Sequence, residues 1–491
     1  MNQKNDVLFD LVKSLTKSEK RFITLNAQFH KGDKIYLKLL DAIYKQEEYN
    51  EKVLKVEFKN EPFAKQFGVA KNYLQTFILR QLRNYYANLK LNIACKNHLI
   101  EIEILFWKGQ YKLAEKTILK VRKIAQKHGF FLHLEELIYW EGRIHTALLK
   151  LNRNYKTASE FNSKENITSY LNVLDYKELI TTAQLLIKES EVIRDDSEME
   201  KYLALLNNPL LTDISLAKSY EAKYNYFVLN SVLYKIIGEN EKSAGFRKKL
   251  LDFLEENPHQ IEENPIHYTA AIHNMLTHHL IAHEYENFNF YLEKLKTYPF
   301  KMPHERANVF SSLCLFELGY YSETKDYKNA IRFVEETVVN YENVKNLINT
   351  EHQFLLNQQA ALAYYQNKDF NKALKWINKN INIIFKDLRV DVKASTYMLN
   401  IITHFELNNL ELLPYLVKST TLFLKSNKLY KPHDEVFLSI FNTNLSSLNS
   451  KEFIELLLTK KQELLLLKSP KNQSVISMGI TYMEWIDLKI K

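Results

Sequence analysis

Residues 325–333 read KDYKNAIRF and residues 368–376 read KDFNKALKW, so a lysine, an aspartate, an aromatic ring, an alanine and an aliphatic side chain recur in register 43 positions apart. An aspartate just before the ring suits a helix N-cap, because its carboxylate accepts hydrogen bonds from the orphan amides of a first turn. After Tyr327 the apolar side chains are Ala330, Ile331, Val334 and Val338, and after Phe370 they are Ala373, Leu374, Ile377 and Ile381. That spacing is one face of an α-helix. The small alanine one turn in lets a preceding antiparallel helix approach closely.

The phrase recurs with substitutions. QYKLA carries Tyr111 and Ala114, NYKTA carries Tyr155 and Ala158, NEKSA carries Glu241 and Ala244, and EYENF carries Tyr285 and Phe288. Beyond the opening pair, NLELL carries Leu410 and Leu413, and EFIEL carries Phe453 and Leu456. Successive markers from Tyr111 to Phe453 are separated by 44, 86, 44, 42, 43, 40 and 43 residues, with a degenerate unit expected near residue 198 in IRDDSEMEKYLALL. Steady self-similarity at such a period is the signature of a repeat array. The expectation is an all-α fold, an α-solenoid of about nine helix-turn-helix units over residues 93–491, preceded by a small helical module at residues 1–92.

Composition agrees. Of 491 residues, 46% are apolar and 25% charged, which provides a core without suggesting disorder. Nine glycines and nine prolines leave few of the residues that punctuate sheets and turns. The start, MNQKNDVLFDLVKSL, places Lys4, Asp6 and Asp10 where a secretion signal needs an apolar run, and no apolar stretch is long enough to span a bilayer. These features predict a cytoplasmic protein with no membrane partner. Cys95 and Cys314 are too few for a disulfide framework and read as buried small side chains.

LAYYQNKDFNKALKWI and ILFWKGQYKLAEKTILKV resemble tetratricopeptide (TPR) repeats, whose signature places an aromatic and a small residue between two helices. The resemblance extends over residues 93–491, with a period longer than the 34 residues of the standard repeat. It implies a right-handed superhelix with a concave surface for a protein or peptide partner, and no catalysis. LFDLVKSLTKSEKRF, residues 8–22, resembles the start of a group of uncharacterised bacterial TPR-like proteins, and within it Thr16 and Glu19 have the spacing of a capping box.

Residues 1–92 hold 17 Lys and Arg against 10 Asp and Glu, a net charge of +7 out of +9 for the whole chain. Within them, FAKQFGVAKNYLQTFILRQL (63–82) has the pattern of a helix-turn-helix, with Ala64 on a first helix, Gly68 at the turn, and Val69, Leu74, Phe77 and Ile78 inside a second. Lys71, Asn72, Gln75, Thr76, Arg80 and Arg83 would then face outward, toward phosphates and base edges. Nucleic acid bound through residues 62–92 is therefore the alternative to a protein partner. The same segment also reads as a solvated helical cap.

No two glycines are closer than seven positions, so GxGxxG, GxxxxGK and GxSxG are all excluded. No catalytic residue, cofactor site or metal site is predicted. In HNMLTHHLIAHEYE, His279 and His283 stand four apart with Glu286 nearby, a spacing that can hold a metal, but no third ligand or intervening glutamate accompanies them. They read as structural histidines.

Overall fold

A computed structural model describes residues 6–27, 33–87, 89–150, 163–189, 196–348, 350–382, 390–443, 445–467, 475–477 and 480–490. Its regular structure is helical except for a short antiparallel ribbon, β1 Val475–Ser477 against β2 Ile480–Thr481. The fold is all-helical and repeat-like, consistent with a helical solenoid. The chain forms two compact units, Met1–His278 and His279–Lys491.

The first unit begins with α1 Val7–Ser14, α2 Lys17–Ala27, α3 Asp33–Lys45 and α4 Glu51–Glu57, then a 3-10 turn Pro62–Gln66 that runs into α5 Phe67–Ala87. Leu8, Val12, Ile23, Leu39, Leu74 and Ile78 belong to a core that these helices build for themselves. Local chemistry sets the helix starts. Asp6 accepts from the amides of Leu8 and Phe9. Thr16 and Glu19 form the reciprocal capping box, the amide of Thr16 donating to Glu19 at 2.7 Å and that of Glu19 to the Thr16 hydroxyl at 3.2 Å. Glu19 also accepts from the Tyr86 hydroxyl, tying α2 to α5.

The unit continues through α6 Leu91–Trp107, α7 Tyr111–His128, α8 Phe131–Lys150, α9 Ser163–Glu189, α10 Asp196–Leu206, α11 Pro209–Thr212, α12 Tyr220–Ile236, α13 Asn240–Glu255, α14 Pro258–Glu263 and most of α15 Pro265–Ile281, whose last turn belongs to the second unit. The 27-residue α9 packs on both α8 and α12. The degenerate phrase near residue 198 falls on the short α10. The second unit holds α16 Tyr285–Thr297, α17 Pro303–Glu323, α18 Tyr327–Glu336, α19 Thr350–Gln366, α20 Phe370–Ile381, α21 Val390–Glu406, α22 Leu413–Ser426, α23 Pro432–Asn442, α24 Ser450–Leu466 and α25 Tyr482–Ile490.

Four markers, Tyr111, Tyr285, Tyr327 and Phe370, are the first residues of their helices. Asp326 and Asp369 cap α18 and α20 by accepting from the amides of Asn329 and Lys372. Ala114, Ala330 and Ala373 are buried where the paired helices approach. The turns before these helices are built alike. Gly109, Gly238, His283, Lys325, Lys368 and Asn408 all have left-handed φ. The next residue's amide then reaches five back, to the carbonyls of Leu105, Tyr234, His279, Tyr321, Tyr364 and His404 respectively, at 2.9–3.0 Å. This closure satisfies the last carbonyls of one helix while aiming the chain into its partner.

Two units are phased differently from the sequence reading. In NEKSA the buried small residue is Ser243, whose hydroxyl donates to the Ser231 carbonyl at 2.6 Å, and Ala244 is only half-buried. In EFIEL the helix starts at Ser450 because Asn449 and Glu452 form a capping box, so Phe453 is its fourth residue and Leu457, not Leu456, is buried. At the Leu410 marker a 3-10 turn Leu410–Leu412 precedes α22, whose second residue is Pro414. Tyr155 and Ala158 lie outside the described residues.

Candidate interaction surfaces

The segment 63–82 is not two helices crossing at Gly68. Residues 62–66 form one 3-10 turn, and Gly68 is the second residue of the continuous α5, with no heavy atom within 4 Å of where a Cβ would stand. Leu74, Phe77 and Ile78 are buried as expected, but Val69 is 63% exposed. The helix opens at Phe67, which is buried where Val69 is not.

Of the six residues expected to face outward, Asn72, Thr76, Arg80 and Arg83 are exposed and follow one another along a single stripe of α5, while Gln75 is half-buried. The Thr76 hydroxyl donates to the Asn72 carbonyl, and the Arg80 guanidinium lies 5.7 Å from the Phe77 ring centre. Lys71 points into the fold. Its ammonium donates to Asp6, to the Tyr49 hydroxyl at 2.9 Å and to Glu51 at 3.0 Å. Burial pulls the Lys71 pKa down, but the bonds to Asp6, Tyr49 and Glu51 outweigh it and leave the pKa raised.

His279 and His283 do not share a helical face. His283 occupies the left-handed turn with its Nδ1 3.0 Å from the Tyr285 hydroxyl. His279 pairs with Glu284 at 2.7 Å and stacks on Tyr291, while Glu286 is exposed. Cys95 and Cys314 are free and buried, and burial pushes their thiols up to about 11 and about 12.

In the second unit, α17, α19, α21 and α23 precede the short turns or connectors, and α18, α20, α22 and α24 follow them. The ribbon packs on α21 and α25 on α24, and side chains of α25 also reach residues of α19, α21 and α23. Trp485, fully buried, donates from Nε1 to the Tyr365 hydroxyl of α19 at 3.0 Å. Its ring centre is within 5.5 Å of those of Phe405, Phe437 and Phe441, which belong to α21 and α23. The Tyr482 ring stacks on Phe437 at 4.1 Å and its hydroxyl donates to Asp434 at 2.6 Å. The Tyr365 hydroxyl in turn donates to Glu406 at 3.0 Å, and Glu406 also accepts from the Lys489 ammonium. Lys461 of α24 pairs with Asp487.

Two aromatic side chains of one short helix are thus buried against neighbouring helices, each with a polar bond at its tip. Sequence reasoning missed Tyr365, Glu406, Asp434, Tyr482, Trp485 and Lys489. A local signal existed, since Tyr482, Trp485 and Ile486 fall at i, i+3 and i+4 in YMEWIDLKI, beyond the last repeat phrase. Comparison with family models, with curated proteins and with solved structures gave no match to this chain.

Proposed function

We propose that the protein is a cytoplasmic TPR-like interaction module that works by binding rather than catalysis, and that the face formed by α19, α21 and α23 receives a short helical segment of a partner protein. The observation that supports this reading is the seating of Tyr482 and Trp485 of α25 against Tyr365, Asp434 and Phe437. The partner's segment would carry an aromatic hydroxyl at i to reach Asp434, a tryptophan at i+3, an aliphatic at i+4 and a base at i+7 for Glu406. In this reading α25 is the resident occupant, and partner binding displaces it.

The test titrates a labelled peptide of residues 475–491 into full-length protein and into full-length Trp485→Ala. The variant is expected to bind the peptide with a dissociation constant on the order of 10 µM and wild type at least about tenfold more weakly, since its face is filled. A Trp485→Ala protein that keeps its helical circular dichroism yet binds no peptide would show that α25 is plain core, and the reading would be dropped.

The exposed stripe of Asn72, Thr76, Arg80 and Arg83 favours a second reading, nucleic acid bound along α5. Its measure is the salt dependence of duplex DNA and RNA binding, with and without the two arginines.

A further inference from the structure

Helix α7 holds six Lys and Arg against one Glu, a net charge of +5 in 18 residues. Since residues 1–92 hold +7 of the chain's +9, residues 93–491 sum to +2, and without α7 they sum to −3. The charge of α7 is therefore a local feature set in an acidic background.

Five of the six bases share one face. Arg122 is the exception, buried and paired with Glu141 at 2.6 Å. Lys112, Lys116, Lys120, Lys123 and Lys127 are all exposed. At about 100° per residue they fall within a sector of about 80°, and every residue of α7 in that sector is a lysine. Lys112 and Lys127 stand about 22 Å apart along the axis. On the opposite side Ala114, Ile118, Val121 and Ala125 are buried in the core that α7 shares with α6 and α8, so the row of charges sits on a fixed support.

These charges are not spent within the fold. Among the described residues, Lys112, Lys116, Lys123 and Lys127 have no carboxylate partner, and Lys120 meets the His98 imidazole at 3.3 Å. A solvated helix face ordinarily interleaves acids with bases, because like charges four residues apart repel and opposite ones attract. The α7 face does the reverse at Lys112 and Lys116, at Lys116 and Lys120, and at Lys123 and Lys127. A polyanion laid along the row converts that repulsion into attraction.

The residue types narrow the polyanion. Lysine is a point charge suited to phosphate, and the sector offers no arginine, asparagine or glutamine to read a base edge. A strand of duplex presents a phosphate about every 3.4 Å of axis, which is dense enough to engage every lysine of the row. A bilayer surface is met by an apolar helix face as well as a basic one, and the apolar face of α7 is occupied by the core.

We propose that the lysine face of α7 binds the phosphate backbone of a nucleic acid without reading its sequence. The inference rests neither on the peptide reading, which concerns the other unit, nor on the stripe of α5.

Fluorescence anisotropy of full-length protein with a short labelled DNA duplex, and with a single-stranded RNA of equal length, tests it over a salt series. Dissociation constants on the order of 1–100 µM are expected at about 0.15 M salt, with a slope of log K against log salt of about −0.9 for each duplex phosphate engaged. Lys116→Gln with Lys123→Gln should flatten that slope by about 2 and weaken binding about tenfold or more. Both positions are exposed, and glutamine suits a helix about as well as lysine, so the variant keeps its circular dichroism. Arg80→Glu with Arg83→Glu probes α5 separately, so either surface can fail without the other. No binding of either oligonucleotide at about 50 mM salt, or a slope unmoved by the two lysine substitutions, would overturn the proposal. So would equally tight binding of polyglutamate or of phosphatidylserine vesicles, which would make α7 an unselective basic face.

Discussion

Lys71 illustrates what a single residue can hide from its sequence. On α5 it stands beside Asn72, Gln75, Thr76 and Arg80, so helical spacing alone groups it with an outer face. Its ammonium is instead claimed by Asp6 and Glu51, residues 65 and 20 positions away, and such distant partners leave no local pattern. Removing one member of a partly buried ion cluster exposes the others to uncompensated charge. Lys71→Met is therefore expected to lower stability by about 1–3 kcal/mol, a figure reduced from the fully buried case because Glu51 still meets solvent. The pH dependence has a definite sign. Hydrogen bonds from Lys55 and then Lys71 hold Glu51 down at about 2, below its ordinary 4.5. A depressed carboxylate contributes its stability fully above the unfolded value and loses it as pH falls through the window from about 4.5 to about 2. Urea melts followed by circular dichroism should show wild type weakening across that window and Lys71→Met weakening less. Equal pH slopes for the two proteins would show that Lys71 contributes nothing to that dependence, which Lys55 would then carry alone.

At the scale of the element, the repeated turn was legible through its consequences rather than its cause. The aromatic marker and the small or apolar residue three places on are local, and they locate the helix starts at Tyr111, Tyr285, Tyr327 and Phe370. The left-handed residue that makes each turn went unread, because only Gly109 and Gly238 advertise it while His283, Lys325, Lys368 and Asn408 do not. NEKSA was phased one residue late for a related reason: serine is as small as the site requires, and its hydroxyl finds the Ser231 carbonyl. A side chain at left-handed φ costs about 1 kcal/mol that glycine avoids. Lys368→Gly is thus expected to raise stability by up to about 1 kcal/mol after the loss of unfolded-chain stiffness is deducted, read as a higher thermal midpoint. Lys368→Val, β-branched at the same φ, should lower it by more than that. A Lys368→Gly protein less stable than wild type would mean that the lysine side chain contributes more than the strained backbone takes away.

For the whole molecule, two properties lie beyond any local reading: which surface is occupied, and where charge remains unspent. The seat of α25 joins Trp485 to Tyr365 across 120 residues and Lys489 to Glu406 across 83, so no window of sequence contains it. Net charge is easier to count than to use. The first 92 residues carry +7, yet Lys20, Lys38, Lys55 and Lys71 are paired with Asp41, Glu61, Glu51 and Asp6 inside their own module. Those cations contribute little to an outward field, whereas Arg80 and Arg83 stand exposed on a stripe with Asn72 and Thr76. Each phosphate neutralised releases counterions and steepens log K against log salt by about 0.9. If α5 binds a duplex through this stripe, Arg80→Glu with Arg83→Glu should flatten that slope by about 2 and weaken binding uniformly across sequences, while helicity is retained. Lys71→Met, by contrast, should leave the slope unchanged, because its charge is already answered within the fold. A slope indifferent to the two arginines, or no binding by wild type at about 50 mM salt, where phosphate attraction is strong, would retire nucleic acid as a partner of α5 and identify the module's positive charge as internal pairing and solvation.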